Sequence, residues 1–187
     1  VRDYTFDALY DRLGYVTQKA VLFSGTVQDN IFFGQSEAAD TDETLQQALQ
    51  LSQAAEFVDR YPEKAAHPIA QLGRNVSGGQ KQRLSIARAL ARRPEILIFD
   101  DSFSALDYRT DAKLRAGLAA QMAGVTMVIV AQRISTIRHA DQILVLDRGE
   151  IAGLGTHDAL MASCPVYREI AMSQLSEEEL KKGGASK

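Results

Sequence analysis

The stretch NVSGGQKQRLSIARALARRPEILIFDDSFSALD, residues 75–107, decides the fold of this chain. In it, the turn Ser77–Gly79 precedes a helical pattern that runs to about Ala91. Pro94 then leads into the apolar run Ile96–Phe99, which ends in two acidic residues. A short, continuously apolar strand is typical of a parallel sheet that is covered on both faces. The stretch therefore predicts a helix followed by a buried parallel strand.

Helices and strands alternate on both sides of this stretch. The residue patterns predict a strand at Leu13–Val16, a helix over about Asp40–Tyr61 with Asp42 as its cap, a helix at Tyr108–Met122, and buried strands at Met127–Ala131 and Gln142–Leu146. The turn Asp147–Glu150 leads into a further short strand. Such alternation predicts an α/β fold with a parallel sheet.

Composition excludes several classes of protein. The chain has 187 residues, of which 45% are hydrophobic and 24% charged, as in an ordinary globular domain. A net charge of −3 weighs against nucleic acid as a partner, because phosphate binding favours a basic face. The single cysteine, Cys164, excludes an internal disulfide and is expected to be unreactive. No apolar run approaches the roughly 18 residues of a membrane span. Because the sequence starts at Val1 rather than Met, we expect it to be part of a longer protein.

Four sites carry candidate chemistry. Ser77 and the two glycines after it begin a helix, where backbone N–H groups favour an anion such as phosphate, although an ordinary turn has the same residues. Asp100 and Asp101 at a strand end suit Mg²⁺ and an attacking water, or are simply exposed acids. Asp107 either caps a helix or contributes to a site, whereas a lone glutamine such as Gln18 is ordinarily structural or solvated.

Order and spacing remove much of this ambiguity. Five features follow one another as in the nucleotide-binding domain of an ABC transporter, which the chain resembles from end to end. They are Gln18, Val76–Gln80, Asp100–Asp101, Ser104–Asp107 and a strand ending near Gln132. The resemblance implies an α/β P-loop NTPase core of the RecA-like ABC ATPase kind, truncated at its N-terminal side, with an inserted helical subdomain. The implied divisions are 1–22 (core and Q-loop), 23–75 (helical subdomain), 76–172 (remaining core) and 173–187 (polar tail).

The resemblance also implies ATP and Mg²⁺ as cofactors. It implies catalytic roles for Gln18, Asp101 and Gln132, and Mg²⁺ binding by Gln18 and Asp100. The signature segment, by which we mean Val76, Ser77, Gly78, Gly79 and Gln80, would contact the ATP of a partner domain. The D-loop segment consists of Ser104, Ala105, Leu106 and Asp107. No Gly-Lys dipeptide of a phosphate cradle occurs, so we expect this chain alone to be inactive as an ATPase.

The subtype implied is an exporter, because Val21–Ile31 resembles the segment that follows the Q-loop in exporters. Asp101 stands where the family usually has Glu, and Gln132 where it usually has His. Together these departures resemble the degenerate-site half of a heterodimeric bacterial exporter. Its expected partners are a second nucleotide-binding domain and transmembrane domains, at the cytoplasmic face of the plasma membrane.

Three alternatives stay open: a regulatory module that dimerises on ATP without hydrolysis, a homodimeric exporter, and a DNA-associated ABC ATPase. The acidic pI and the short stretch between Gln18 and Ser77 argue against the DNA-associated ATPase.

We interpret the basic residues within 81–93 as a solvated helix face and helix end. Phe23, Phe32 and Phe33 are expected in the core or against the membrane domains, and Ser176 with Glu179 predicts a capped C-terminal helix.

Overall fold

The computed structural model describes residues 2–35 and 41–174. They belong to two compact units, one ending at Val130 and the other starting at Ala131. The predicted helix at Ser176 and Glu179 lies outside the described residues. Within the described ranges, no helix is both long enough and apolar enough to cross a membrane.

The first unit contains helices and short strands around one parallel sheet. Its helices are α1 (Phe6–Tyr10), α2 (Val27–Ile31), α3 (Asp42–Leu51), α4 (Ala55–Val58), α5 (Gly78–Ala91) and α6 (Tyr108–Gln121). Its strands are β1 (Leu13–Val16), β2 (Gly25–Thr26), β3 (Pro68–Ile69), β4 (Ile96–Asp100) and β5 (Thr126–Val130).

The sheet has the order β1-β4-β5, and both pairings are parallel. Val16 lies opposite Phe99, and Leu97 opposite Met127. This confirms the predicted parallel pairing, with β5 starting and ending one residue before the predicted bounds. The prediction that β5 is buried is wrong, because Thr126, Val128 and Val130 are exposed on one face of the described sheet. Because the register aligns the C-terminal ends of β1 and β4, the residues that follow these two strands meet at one edge of the sheet.

Helix α5 lies at the centre of the first unit. Eight of its fourteen residues are buried, and Leu84 and Ile86 are fully excluded from solvent. The helix packs against α2, α3 and β1. Ala87, Ala89 and Ala91 keep its buried side narrow, which allows neighbouring elements to approach the helix closely.

The predicted single helix over 40–61 is wrong. The chain forms α3, then breaks at Gln53, whose φ of 62° lies in the left-handed region, and resumes as α4. The buried Ser52 hydroxyl accepts the N–H of Ala54, which stabilises the break. Thr41, not Asp42, is the N-cap of α3: its side chain accepts the N–H of Thr44 at 3.1 Å.

The segment around α2 forms structure that the sequence patterns did not predict. Thr26 and Asp29 form a capping box at the start of α2, and β2 pairs with β3 in antiparallel fashion. Phe32 is buried, whereas Phe23 and Phe33 are exposed and stack on each other with ring centroids 4.2 Å apart.

The second unit is a hairpin covered by helices. It contains α7 (Ile134–Ile137), β6 (Ile143–Asp147), β7 (Glu150–Gly155), α8 (His157–Ser163) and α9 (Pro165–Gln174). The prediction of a third buried parallel strand is wrong, because β6 pairs with β7 in antiparallel fashion. Residues Leu144 and Leu146 on β6 are more than half exposed, so only one face of the hairpin is covered. Cys164 is buried in this unit, as expected of an unreactive thiol.

Candidate functional site

The C-terminal ends of β1 and β4 bring two of the predicted site residues together. Gln18 follows β1 and Asp101 follows β4, and the Gln18 Nε2 donates to Asp101 Oδ2 at 3.1 Å. Asp101 is buried, whereas Gln18 is exposed. The carboxylate is thus held in place by an amide that is itself open to solvent. The roles assigned to these two residues stay predictions.

Asp100, the last residue of β4, has a partner that the sequence analysis missed. The Tyr15 hydroxyl on β1 donates to Asp100 Oδ2 at 3.0 Å. This hydrogen bond to a carboxylate raises the pKa of Tyr15 above its ordinary value. The available signal was the alternation along β1, in which Val16 points into the core and Tyr15 points away from it.

The loop after β4 is rigidly held. Asp101 has φ of 46°, a left-handed conformation uncommon for a residue other than glycine, and its N–H donates to the carbonyl of Val130 at 3.0 Å. The buried Ser102 hydroxyl donates to the carbonyl of Val16 at 2.8 Å, and that of Ser104 to the carbonyl of Asp101 at 2.7 Å. These bonds fix the direction in which the Asp101 carboxylate leaves the sheet.

The start of α5 has the properties of an anion site. Ser77 accepts the N–H of Gln80 at 3.3 Å, and the Gln80 side chain accepts the N–H of Ser77 at 2.8 Å, which completes a capping box. The N–H groups of Gly78 and Gly79 have no acceptor within the described part of the chain. A Cβ placed on Gly78 would meet nothing within 4 Å, so a ligand has room to approach this backbone closely.

The signature and D-loop segments lie next to each other. A Cβ on Gly79 would lie 3.6 Å from the carbonyl oxygen of Ala105. At the end of the D-loop segment, Asp107 caps α6 by accepting the N–H of Thr110 at 3.0 Å and its hydroxyl at 2.7 Å. These hydrogen bonds lower the pKa of Asp107. Asp107 therefore caps α6, and its role as part of the D-loop segment stays a prediction.

The interpretation of the basic residues of α5 as a solvated face is wrong for its arginines. Arg83 donates to the carbonyl of Gln53 at 3.0 Å and pairs with Glu56 at 3.2 Å. Arg92, at the end of the helix, donates to the carbonyls of Gly34 and Tyr10. These contacts span more than 25 residues of sequence, which is why the local charge pattern did not reveal them.

Arg88 makes the densest set of these contacts. Its guanidinium donates to the Asn30 carbonyl at 2.7 Å, to the Asn30 side-chain oxygen at 3.0 Å and to the Val21 carbonyl at 3.0 Å. It also lies 5.4 Å and 5.9 Å from the ring centroids of Phe23 and Phe33. Burial lowers the pKa of Arg88. One α5 side chain thus holds the segment that follows Gln18.

A second α5 side chain reaches the same region. Gln82 is buried, and its Nε2 donates to the carbonyl of Thr17, the residue before Gln18, at 3.2 Å. The helix that starts with the signature segment is therefore attached to both ends of the loop that carries Gln18.

The donor set at the end of β4 suits Mg²⁺. Asp100 and Gln18 present carboxylate and amide oxygens, which are the hard ligands that this ion prefers. Within residues 2–35 and 41–174, no cluster of three or more His, Cys, Asp or Glu side chains forms a closed metal site. An ion held here would keep bound water or phosphate oxygens among its ligands, as Mg²⁺ ordinarily does.

Gln132 belongs to the second unit, two residues after the end of β5. Its side chain is exposed, and its carbonyl accepts the Gln174 Nε2 at 2.8 Å. The expected action of Gln132 together with Asp101 stays a prediction.

Comparison with known proteins identifies relatives of the chain. The family model described as "ABC transporter" matches residues 1–104. An uncharacterized ABC transporter ATP-binding protein of Mycobacterium tuberculosis is 46% identical over 93% of the chain, and a beta-(1→2)glucan export ATP-binding/permease protein of Rhodopseudomonas palustris is 41% identical over 96%. A solved bacterial Atm1-family ABC exporter with ATP bound matches 95% of the chain with a TM-score of 0.88 at 36% identity.

These relatives are much longer than the chain. It spans 30% of the mycobacterial protein, 29% of the glucan exporter and 31% of the solved exporter chain.

Proposed function

The chain belongs to the ABC transporter family, and on this premise we propose that it is a segment of the ATP-binding domain of an exporter that completes the ATP site of a partner domain. The observation that carries the proposal is the start of α5. Two glycine N–H groups without an acceptor in the described chain, beside an open Gly78, suit the phosphates of a nucleotide. The intact protein would couple ATP binding and hydrolysis to export across the plasma membrane, with this domain at its cytoplasmic face.

The chain's own site is proposed to hydrolyse slowly. Asp101 is one methylene shorter than the Glu that the family usually has, and a misplacement of about 1 Å costs on the order of 100-fold in rate. The left-handed backbone of Asp101 and its contact with Gln18 restrict its carboxylate, so the carboxylate cannot easily move to make up for the shorter side chain. Gln132 is uncharged and cannot supply a cation to a developing phosphate charge. Asp100 and Gln18 would hold Mg²⁺, which neutralises phosphate charge when bound.

The partners proposed are a second nucleotide-binding domain, different from this one, and transmembrane domains. The exposed, stacked rings of Phe23 and Phe33 support the second of these, because an aromatic pair at the surface suits a protein contact. Arg88 holds both rings against α5, so force applied to them would be transmitted to the signature segment.

The test measures ATP turnover in the intact transporter carrying Ser77→Arg in this chain. That substitution places a bulky cation where the partner's phosphate would lie, and it is expected to abolish hydrolysis at the partner's site. Residual turnover then reports on this chain's own site. Adding Asp101→Glu with Gln132→His should raise the residual turnover by up to about 100-fold.

A matched control makes the same two chemical changes at exposed neighbours. Asp141→Glu with Gln142→His should leave residual turnover unchanged, because neither side chain has a partner within the described residues. Unchanged turnover in the Asp101 and Gln132 variant would contradict the argument for a slow site. Full activity of the Ser77→Arg variant would contradict action on a partner. ATP-dependent association without turnover in any variant would favour the regulatory module.

A further inference from the structure

A basic cleft lies beside the signature segment, on the side formed by α4 and α6. Its volume is about 300 Å³, and its cations are Arg60, Arg83, Arg109 and Lys113. Arg60 follows α4 and Arg83 lies on α5, whereas Arg109 and Lys113 lie on the first two turns of α6. The cations therefore come from two opposing walls of the same unit.

The cleft has more positive than negative side chains. The side chains of Arg60, Arg109 and Lys113 are exposed and form no ion pair or hydrogen bond within the described residues. Two carboxylates, Glu56 and Asp107, also line the cleft. Glu56 pairs with Arg83, and Asp107 is occupied by the N–H and hydroxyl of Thr110. The four cations outnumber the two carboxylates, and this excess of positive charge attracts an anion.

Arg83 is the preorganised member of the set. The carbonyl of Gln53 and the carboxylate of Glu56 hold its guanidinium, which also lies 4.8 Å from the ring centroid of the buried Phe57. A guanidinium that is fixed in this way loses little conformational entropy when it binds a phosphate oxygen.

We propose that this cleft binds a small polyphosphate anion, one with two or more adjacent phosphate groups. The volume is at the lower end of the range for small-molecule sites, which favours a compact anion over a segment of a macromolecule. Guanidinium forks recognise phosphate oxygens in bidentate fashion. Because Glu56 and Asp107 oppose the binding of any anion, a single phosphate binds weakly and a polyphosphate is preferred.

The bound anion bridges the two walls of the cleft. Arg60 and Arg83 contact it from the α4–α5 side, and Arg109 and Lys113 from α6. Gln80 of the signature segment and Asp107 of the D-loop segment both line the cleft. The anion therefore fixes the start of α5 relative to the start of α6, and so regulates how the signature segment is presented. This inference does not depend on which domain supplies the ATP.

The experiment is hydrogen exchange with mass spectrometry on the full-length protein, titrated with inorganic tripolyphosphate at low and physiological salt. Exchange should slow in peptides covering 55–60 and also in those covering 108–113, and the effect should weaken as salt increases. Arg60→Gln with Lys113→Gln should weaken the apparent affinity at least about tenfold. Because these side chains are exposed, circular dichroism should be unchanged.

The matched control, Lys64→Gln with Arg148→Gln, removes one lysine and one arginine that are exposed and lie outside the cleft. It should retain the wild-type affinity. Vesicles of phosphatidylglycerol in phosphatidylcholine present a lipid headgroup with one phosphate: slowed exchange with vesicles but not with tripolyphosphate would overturn the proposal in favour of a membrane surface. No slowing with either probe, slowing on one wall only, or an equal loss of affinity in the control would overturn the proposal.

Discussion

Arg88 is the side chain whose removal should most disturb the attachment of α5 to its neighbours. We consider Arg88→Met, which keeps an unbranched apolar stem but removes the guanidinium. The Asn30 and Val21 carbonyls would lose their donors, and the Asn30 side-chain oxygen would keep only the N–H of Phe23. Asn30 is 1% exposed, so water cannot easily replace the lost donor.

The magnitude follows from these contacts. A hydrogen bond from a charged group contributes about 1.5–3 kcal/mol, so two orphaned carbonyls correspond to about 3–6 kcal/mol. Removing a partly buried guanidinium recovers part of its desolvation cost, which leaves a net loss of about 3 kcal/mol. With a slope of about 2 kcal/mol per molar urea, the unfolding midpoint should fall by about 1.5 M.

The assay is urea unfolding followed by circular dichroism and by hydrogen exchange over 21–33. Arg92→Met is the control, because its longer bonds to the Gly34 and Tyr10 carbonyls, at 3.1 Å and 3.3 Å, should contribute less. Arg88→Lys should fail to restore stability, since an ammonium group lacks the planar fork that reaches both Asn30 oxygens. A loss below about 1 kcal/mol, or one no larger than for Arg92→Met, would refute the reasoning.

Two further predictions concern packing and pH. Gly14→Ala should destabilise the first unit by about 1–3 kcal/mol, because its Cβ would lie 2.7 Å from Leu97 Cδ1 and 3.1 Å from a backbone oxygen. Gly78→Ala has open space and is the control; equal urea midpoints for the two variants would contradict the packing argument. Burial lowers the pKa of His157, so the native state binds its proton less tightly, and the free energy of unfolding should fall as pH drops below about 6.5. His157→Gln should remove this dependence in urea titrations across that range, and an unchanged pH profile would contradict it.

The parts of the fold that sequence patterns predicted are those set by local chemistry. Ser77 can cap a helix through the backbone N–H groups that follow it, and the structure shows a capping box there. The apolar run Ile96–Phe99 between Pro94 and two acids predicts a strand, and β4 has those bounds apart from Asp100. Each signal depends on residues within one or two turns of each other, so no distant contact is needed to interpret it.

The failed predictions share a different cause. The helix expected over 40–61 breaks because Gln53 adopts a left-handed conformation and its carbonyl accepts a hydrogen bond from Arg83, 30 residues away. The arginines of α5 have the sequence pattern of a solvated face, yet Arg88 binds backbone that is 58 and 67 residues distant. Helical periodicity reports which side of a helix faces the core, and it does not report which carbonyls lie within reach.

The features of the candidate site also divide into those set by local sequence and those set by distant contacts. The sequence by itself determined the family, the helix start suited to phosphate and the acidic end of β4, because each depends on neighbouring residues or on their order. Only the tertiary structure decided that Gln18 contacts Asp101 across 83 residues and that Tyr15 contacts Asp100 across 85. Those contacts depend on the parallel register that sets Val16 opposite Phe99. A shift of one residue in that register would turn every side chain of β1 to the other face, and only the packing of the whole sheet prevents it.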